Sequence, residues 1–145
     1  MLYFAYTARI APEHMAEVAP NATFEYIAHL PEWGLFFPIT GRSWNGGLPT
    51  AAPDPGSTVW GVVYRVADGD MSAIDTVEAE EGRSQTNIDA IDRSGKRHCV
   101  TTHLADLETE VSLAPSHEYL SIMVSGSKHW GLPAGWVVGL QDHLA

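Results

Sequence analysis

Glu78 is a carboxylic acid on an apolar helix face. Residues 71–78 predict a helix in which Glu78 lies on the same side as Ile74 and Met71. The face that buries these two apolar side chains therefore turns Glu78 toward the interior. Burial disfavours the charged form of a carboxyl, and the unpaired carbonyl groups at a helix end act in the same direction. The pattern indicates an acid whose affinity for protons is raised toward neutrality, which suits a group that passes a proton back and forth.

The same residues also fit a helix end that only meets solvent. Glu78, Glu80 and Glu81 precede Gly82, so all three could form the solvated last turn of a helix capped by that glycine. Acidic side chains are rarely fully buried unless they are paired. Helical spacing leaves both interpretations open, and the exposure of Glu78 decides between them.

The other reactive side chains form no recognisable site. The seven histidines are scattered and lack the close pairs that zinc sites use, so we expect no metal. Neither Gly46-Gly47 nor Gly95 precedes a helix with the lysine of a phosphate-binding loop, which argues against nucleotide binding. The single cysteine, Cys99, excludes an internal disulfide, and its apolar, β-branched neighbours predict a packed thiol.

The elements that must position Glu78 follow an order along the chain: strand patterns come first, and helix patterns dominate the last third. Strand patterns occupy 2–6, 23–30, 33–37, 58–66, 87–92 and 97–104. Pro31 should end the second strand or place it at an edge, and 39–57 is either a long functional loop or an irregular hairpin. The run 58–66 is almost continuously apolar and should lie at the centre, covered on both sides.

Helix signals complete the pattern. Pro12 can open a short helix, and a turn and cap at 67–70 precede the helix that holds Glu78. Ser116 is predicted to cap a packed helix, and a break at 131–133 separates it from a second amphipathic helix over 134–144. This order favours the α+β class.

Length and charge limit the function. A chain of 145 residues supports one compact domain, 1–145, with a sizeable core. The net charge of -10 argues against nucleic acid and anionic membranes as partners, since both need clustered Lys and Arg. The amino terminus resembles neither a secretory signal nor a membrane span, and we expect a cytoplasmic protein whose partners are small molecules or other proteins.

Several segments, taken in their order, resemble the γ-glutamylcyclotransferase family nearly from end to end. They are Tyr3–Tyr6, Trp44–Gly47, Val59–Tyr64, Ile74-Asp75-x-x-Glu78, Pro115-Ser116 with Tyr119, and Gly131–Pro133. The resemblance implies a small mixed β-barrel with flanking helices, and a glutamate at a helix end beside the barrel mouth. Glu78 fits that position.

The family's reaction, as the resemblance implies it, converts a γ-glutamyl amine or peptide to 5-oxoproline and a free amine, without a cofactor. Glu78 would be the general acid and base. The end of the first strand and the loop after it would bind substrate, partly through backbone N–H groups, and Tyr119 would border the pocket. The implied substrate-binding residues are Tyr3, Phe4, Ala5, Tyr6, Thr7, Ala8 and Tyr119.

The chain also departs from the family pattern. The usual loop reads Tyr-Gly-Ser-Asn, whereas this chain has Tyr6-Thr7-Ala8-Arg9. If the family's glycine is there to reach positive φ, Thr7 would displace the loop donors; if ordinary geometry suffices, the donors survive and specificity changes instead. Ala79 replaces a glycine, so Glu81-Gly82 offers a shifted alignment with Glu81 as the reserve acid. Gln85 and Thr102 stand where the family often has a tyrosine.

Two other functions stay open at this point. The altered loop is compatible with a non-catalytic protein that binds a small carboxylate or amide, with Arg9 holding the carboxylate. An interaction domain that uses the surface around Trp33 would need an exposed apolar patch. The sequence does not specify which amine leaves, or whether the chain is a monomer or a homodimer.

Overall fold

Five strands close into a barrel in the computed structural model, which describes residues 1–41, 43–106 and 113–143. The strands are β1 (Leu2–Ala5), β2 (Thr23–Gly41), β3 (Gly46–Arg65), β4 (Ser84–Asp92) and β5 (Arg97–Leu104). The α-helices are α1 (Pro12–Ala16), α2 (Asp68–Glu80), α3 (His117–Trp130) and α4 (Ala134–Asp142), and a 3₁₀ helix, Ala8–Ile10, follows β1. The α+β barrel with flanking helices that the resemblance implied is confirmed.

The apolar run 58–66 falls almost wholly in β3 and is largely buried, as its sequence predicted, although a closed barrel has no central strand. Strand β3 pairs antiparallel with β1, where Ala5 faces Val62, and antiparallel with β2 along most of its length. The barrel order is β1, β3, β2, β4, β5, and a parallel contact between Tyr3 and Thr101 closes it. Closure leaves β1 between two strands, so its carboxyl end and the 3₁₀ helix lie next to the barrel core.

The hairpin of β2 and β3 is longer than predicted. We expected Pro31 to end a strand or place it at an edge, and 33–37 to form another strand. Strand β2 continues through both, and Pro31 pairs on one side only, with β3, because the pairing with β4 covers Ala28 and His29. The pairing register shifts between Pro31 and Trp33, and Glu32 has a φ of 63°, so a local irregularity accommodates the missing proline N–H. Of the two interpretations of 39–57, the irregular hairpin is correct.

The glycines of the Trp44–Gly47 motif permit close packing at the hairpin tip. A Cβ on Gly46 would overlap the backbone N of Ser116, and one on Gly47 would lie 2.8 Å from Leu113 Cβ. The Gly47 N–H also donates to the Ala114 carbonyl at 2.8 Å. The hairpin tip is therefore fixed against the segment that leads into α3.

The predicted helix ends were partly right. The Ser116 side chain accepts from the Tyr119 N–H at 3.1 Å, as expected of a cap. Helix α2 has Ala67 at its N-cap, without a side-chain hydrogen bond, and Asp68 lies in the first turn instead. Helix α4 ends at Asp142 with His143 as its C-cap, and Leu144, the last residue of the predicted helix, lies outside the described residues.

Cys99 and Trp33 differ in their exposure at the protein surface. Cys99 is exposed, so the prediction of a packed thiol was wrong: the alternation of β5 buries its neighbour Val100 and turns Cys99 outward. Trp33 is only partly exposed because it packs against a core cluster around Phe4.

In the described part of the chain no helix is long and apolar enough to cross a membrane.

Candidate active site

Glu78 lies in the interior, with only 1% of its surface exposed. Ile74 and Met71 are buried on the same face of α2, as the spacing predicted. The solvated helix end is therefore wrong for Glu78. It is right for Glu80, which is exposed, and partly right for Glu81, whose side chain is 23% exposed.

The turn after α2 brings an arginine back to Glu78. Gly82 has a φ of 95°, and the Arg83 N–H donates to the Glu78 carbonyl at 2.9 Å. The fully buried Arg83 side chain then donates from Nη1 to Glu78 Oε2 and to Glu81 Oε1, both at 2.8 Å. Its Nε donates to the Pro49 carbonyl on β3 at 2.7 Å. These bonds fix the Glu78 carboxylate against the barrel.

Arg9 supplies a second cation. It belongs to the 3₁₀ helix, is 7% exposed, and places its Nε 3.7 Å from Glu78 Oε1. Its Nη1 donates to the His14 carbonyl at 3.2 Å. Two guanidinium groups therefore face the Glu78 carboxylate, and sequence reasoning anticipated neither contact. Arg83 was missed because an isolated arginine beyond a helix end has no distinguishing pattern.

Thr7 adopts an ordinary backbone conformation. Its φ is −94° and its ψ is −157°, which is extended chain that any residue adopts. In this chain Thr7 therefore takes no positive φ, and its β-branched side chain is accommodated in extended backbone. The Thr7 hydroxyl accepts from the Arg9 N–H at 3.4 Å and so helps to form the 3₁₀ helix.

The loop N–H groups that were expected to face substrate have partners within the protein. Ala8 N–H donates to the Tyr119 hydroxyl at 3.2 Å, and Ile10 N–H donates to the Thr7 carbonyl at 3.1 Å. The hydrogen bonds donated by the Ala8 and Arg9 N–H groups, at 3.2 and 3.4 Å, are long. Either N–H group can therefore exchange its partner for a ligand atom at a small cost in free energy.

Three buried tyrosines surround the carboxylate and its arginines. Burial raises the pKa of Tyr3, and the Glu78 charge raises it further. Burial also raises the pKa of Tyr6 and of Tyr119, where the nearby Arg83 opposes the effect. The Tyr6 hydroxyl donates to the His103 carbonyl at 2.7 Å. All three are neutral phenols at physiological pH and can donate hydrogen bonds.

The remaining predicted residues are parts of the core. Phe4 is fully buried in a cluster with Tyr6, and its carbonyl accepts from the Thr102 hydroxyl at 2.9 Å. Ala5 packs with Tyr3 against the inner face of α2. The structure thus brings Glu78, Tyr3, Tyr6 and Tyr119 together, whereas Phe4 and Ala5 shape the barrel around them.

A cavity of about 600 Å³ opens beside this cluster. It lies between the end of α2, the tip of the β2–β3 hairpin and the 3₁₀ helix, and its volume suits a small molecule. The lining residues are Arg9, Thr40, Gly41, Ser43, Trp44, Leu48, Val77, Glu80 and Glu81. Glu78 does not line it directly, so Arg9 is the residue that contacts both the cavity and the buried carboxylate.

Trp44 connects the cavity wall to the tyrosines. Its ring lies edge-on to Tyr119, with 4.9 Å between centroids, and 5.8 Å from the ring of His14. Burial lowers the pKa of His14, and the neighbouring Arg9 lowers it further. In residues 1–41, 43–106 and 113–143 no group of three His, Cys, Asp or Glu side chains is arranged to hold a metal ion.

Fold and site together define a small β-barrel protein with a buried acid beside a ligand-sized cavity. Residues 58–140 match the AIG2-like family. The chain is 30% identical to γ-glutamylcyclotransferase from Homo sapiens over 138 residues, which cover 91% of this chain and 72% of that protein. It is 29% identical to γ-glutamylcyclotransferase from Bos taurus over 136 residues, with the same two coverages of 91% and 72%.

A solved structure agrees with these sequence matches. A γ-glutamyl cyclotransferase superposes with a TM-score of 0.89 at 28% identity, covering 97% of this chain and 86% of the other. The chain therefore belongs to the γ-glutamylcyclotransferase family.

Proposed function

We propose that the protein converts a γ-glutamyl amine or peptide to 5-oxoproline and a free amine, with Glu78 as the general acid and base. The observation that carries the proposal is the buried Glu78 carboxylate at the end of α2. One of its oxygens is held by Arg83, and the other faces Arg9 at the wall of a cavity of about 600 Å³. The relatives named above are γ-glutamylcyclotransferases, which supports the same reaction class.

The reaction needs protons to move between two nitrogens of the substrate. The α-ammonium group gives a proton to Glu78, and the free amine attacks the γ-carbonyl carbon to form the five-membered ring. The amide C–N bond then breaks, and Glu78 returns the proton to the leaving nitrogen. A second proton follows the same route, so the leaving amine departs as its ammonium and no proton is consumed overall. A single acid that both takes and gives protons is sufficient.

The surrounding residues supply orientation and hydrogen bonds. Arg83 holds Glu78 through Oε2, which leaves Oε1 for the substrate nitrogen. The Tyr119 hydroxyl accepts from Ala8 N–H, so its own proton can be donated to the oxyanion that develops on the γ-carbonyl oxygen. Tyr3 and Tyr6 limit the access of water to the acid, since both are buried.

Replacing the acid tests the proposal. Purified protein incubated with a panel of γ-glutamyl amines and peptides should release 5-oxoproline. Glu78→Gln keeps the size of the side chain and an acceptor for Arg83, and it should lower kcat by about 10²- to 10⁴-fold, the usual contribution of a general acid or base. Glu13→Gln, at an exposed position on α1 outside the cavity lining, is the matched control and should keep activity.

Glu81→Gln decides between the two alignments of the helix end. Retained activity in Glu81→Gln together with loss in Glu78→Gln supports Glu78, and the reverse assigns the role to Glu81. Absence of 5-oxoproline from every panel member would refute the enzymatic proposal.

A second candidate function is non-catalytic binding of a small carboxylate or amide. It is favoured by one observation: Arg9, at a position where the chain departs from the family loop, already faces the free oxygen of Glu78. Binding of γ-glutamyl compounds that raises the Tm without any product would support this second function.

A further inference from the structure

Both arginines beside Glu78 have unused hydrogen-bond donors. Arg9 Nε is buried and has no acceptor within hydrogen-bond distance among the described residues, and the same holds for Arg83 Nη2. The 3.7 Å from Arg9 Nε to Glu78 Oε1 is too long for a hydrogen bond, although the charges attract. A buried, charged donor without an acceptor is unfavourable, so each of these groups is ready to take an anionic partner.

We propose that Arg9 exchanges partners when substrate binds: its guanidinium leaves Glu78 for the α-carboxylate of the γ-glutamyl group, and the α-ammonium takes its place at Glu78 Oε1. This inference rests on the proposed function. It makes Arg9 the specificity-determining residue for a substrate that has a free α-carboxylate.

The exchange conserves the charge of the site. The α-carbon of a γ-glutamyl group bears one anion and one cation, and Arg9 with Glu78 forms the complementary cation and anion. Opening that pair and forming two new pairs with the ligand leaves every buried charge with a partner. A ligand without the α-carboxylate would separate Arg9 from Glu78 and would offer the Arg9 guanidinium no anionic partner.

Arg9 is the arginine that is free to turn. It lines the cavity, and besides the loose contact with Glu78 its guanidinium is held by one bond of 3.2 Å, from Nη1 to the His14 carbonyl. That bond can keep the group at the cavity wall while Nε and Nη2 turn toward a ligand. Arg83 is held by three bonds of 2.7–2.8 Å and stays with the acid.

The test compares two substrates that differ at one group. One is a γ-glutamyl amine, and the other is the same compound with its α-carboxylate converted to a carboxamide. Wild-type kcat/KM should be on the order of 100-fold lower for the carboxamide, since losing one partner of a buried charge pair has about that effect. Arg9→Gln should show a comparable loss with the carboxylate substrate and less than about a 3-fold change with the carboxamide.

Two further variants control for folding and for charge. Arg65→Gln removes an exposed arginine that pairs with Glu25, and it should match the wild type on both substrates. Arg9→Lys keeps the charge without the planar fork and should restore part of the preference for the carboxylate. If Arg9→Gln fails to fold, the wild-type ratio alone decides: equal turnover of the two substrates overturns the proposal.

Equilibrium binding separates this inference from the proposed function. Calorimetry should show that wild-type protein binds 5-oxoproline more tightly than 2-pyrrolidinone, which lacks the carboxylate, and that Arg9→Gln removes the difference. That result supports the role of Arg9 even if no panel compound is turned over. If Arg9→Gln loses the same activity on both substrates, or gains activity, Arg9 does not bind the α-carboxylate.

Discussion

At the scale of residues, the site is a carboxylate held between two guanidinium groups where little water reaches. Glu78 and Arg83 are both almost fully buried, and their closest oxygen and nitrogen are 2.8 Å apart. Taking such charges out of water is costly, so the pair is poor evidence of stabilisation by itself. Glu78 and Arg83 nevertheless depend on each other, because removing either one would leave the other as an isolated buried charge.

Removing Arg83 should therefore destabilise the protein strongly. Arg83→Met, of similar length, leaves the Glu78 carboxylate without its hydrogen bond from Arg83 and the Pro49 carbonyl without its donor. We expect a loss of about 3–5 kcal/mol in the free energy of unfolding, measured by urea titration. The matched Arg65→Met variant, at an exposed ion pair, should lose no more than about 1 kcal/mol.

The double variant provides the cross-check. In Glu78→Gln with Arg83→Met neither charge remains to be buried alone, so the combined loss should be smaller than the sum of the two single losses by about 0.5–3 kcal/mol. Strictly additive losses would mean that the two side chains contribute independently and that Arg83 does not hold Glu78 in place.

At the scale of elements, helix α3 positions the 3₁₀ helix that holds Arg9. A Cβ on Gly126, in the middle of α3, would lie 2.7 Å from the backbone N of Ala11, directly after the 3₁₀ helix. The absence of a side chain at Gly126 thus lets α3 pack closely against the end of the 3₁₀ helix that holds Arg9.

Gly126→Ala should push these elements apart. Ala favours helix, but the overlap outweighs that gain, and we expect a net loss of about 1–3 kcal/mol in the free energy of unfolding together with a lower kcat/KM. Gly139→Ala is the matched control on α4, where an added Cβ meets nothing within 4 Å, and it should be neutral or stabilising by up to about 1 kcal/mol. Equal behaviour of the two variants would contradict close packing at Gly126.

At the scale of the whole molecule, barrel closure buries phenol groups from distant parts of the chain. Burial is the largest cause of the raised pKa of Tyr3, Tyr6 and Tyr119, and it raises the pKa of Tyr64 to about 12. A raised tyrosine pKa stabilises the fold fully below the unfolded value of about 10, and that stability is lost as the pH rises from there through the folded value.

The protein should consequently unfold in one steep transition above about pH 10. Each buried tyrosine that ionises on unfolding adds up to about 1.4 kcal/mol per pH unit to the loss. Phenolate absorbance and far-UV circular dichroism, followed together during an alkaline titration, should change at the same pH. Tyrosines that ionise reversibly near pH 10 while the dichroism stays constant would contradict this prediction.

The amino-acid sequence by itself determined the features that depend on local spacing and on family likeness. Helical spacing placed Glu78 on the buried face of α2, Ser116 was recognised as a cap, and the apolar pattern of 58–66 marked a largely buried stretch of β3. Ordered motifs along nearly the whole chain indicated the family. Such features involve neighbouring residues, so their periodicity and residue types are visible without a fold.

Only the tertiary structure decided which charges meet Glu78. Arg9 and Pro49 lie far from it in sequence, and they reach the site because β1 closes the barrel and β3 passes beside the end of α2. Arg83 is near Glu78 in sequence, but its side chain reaches Glu78 because Gly82 has a positive φ and because the Pro49 carbonyl accepts a hydrogen bond from it. Contacts between distant segments follow from strand order and helix packing, and no sequence period encodes them.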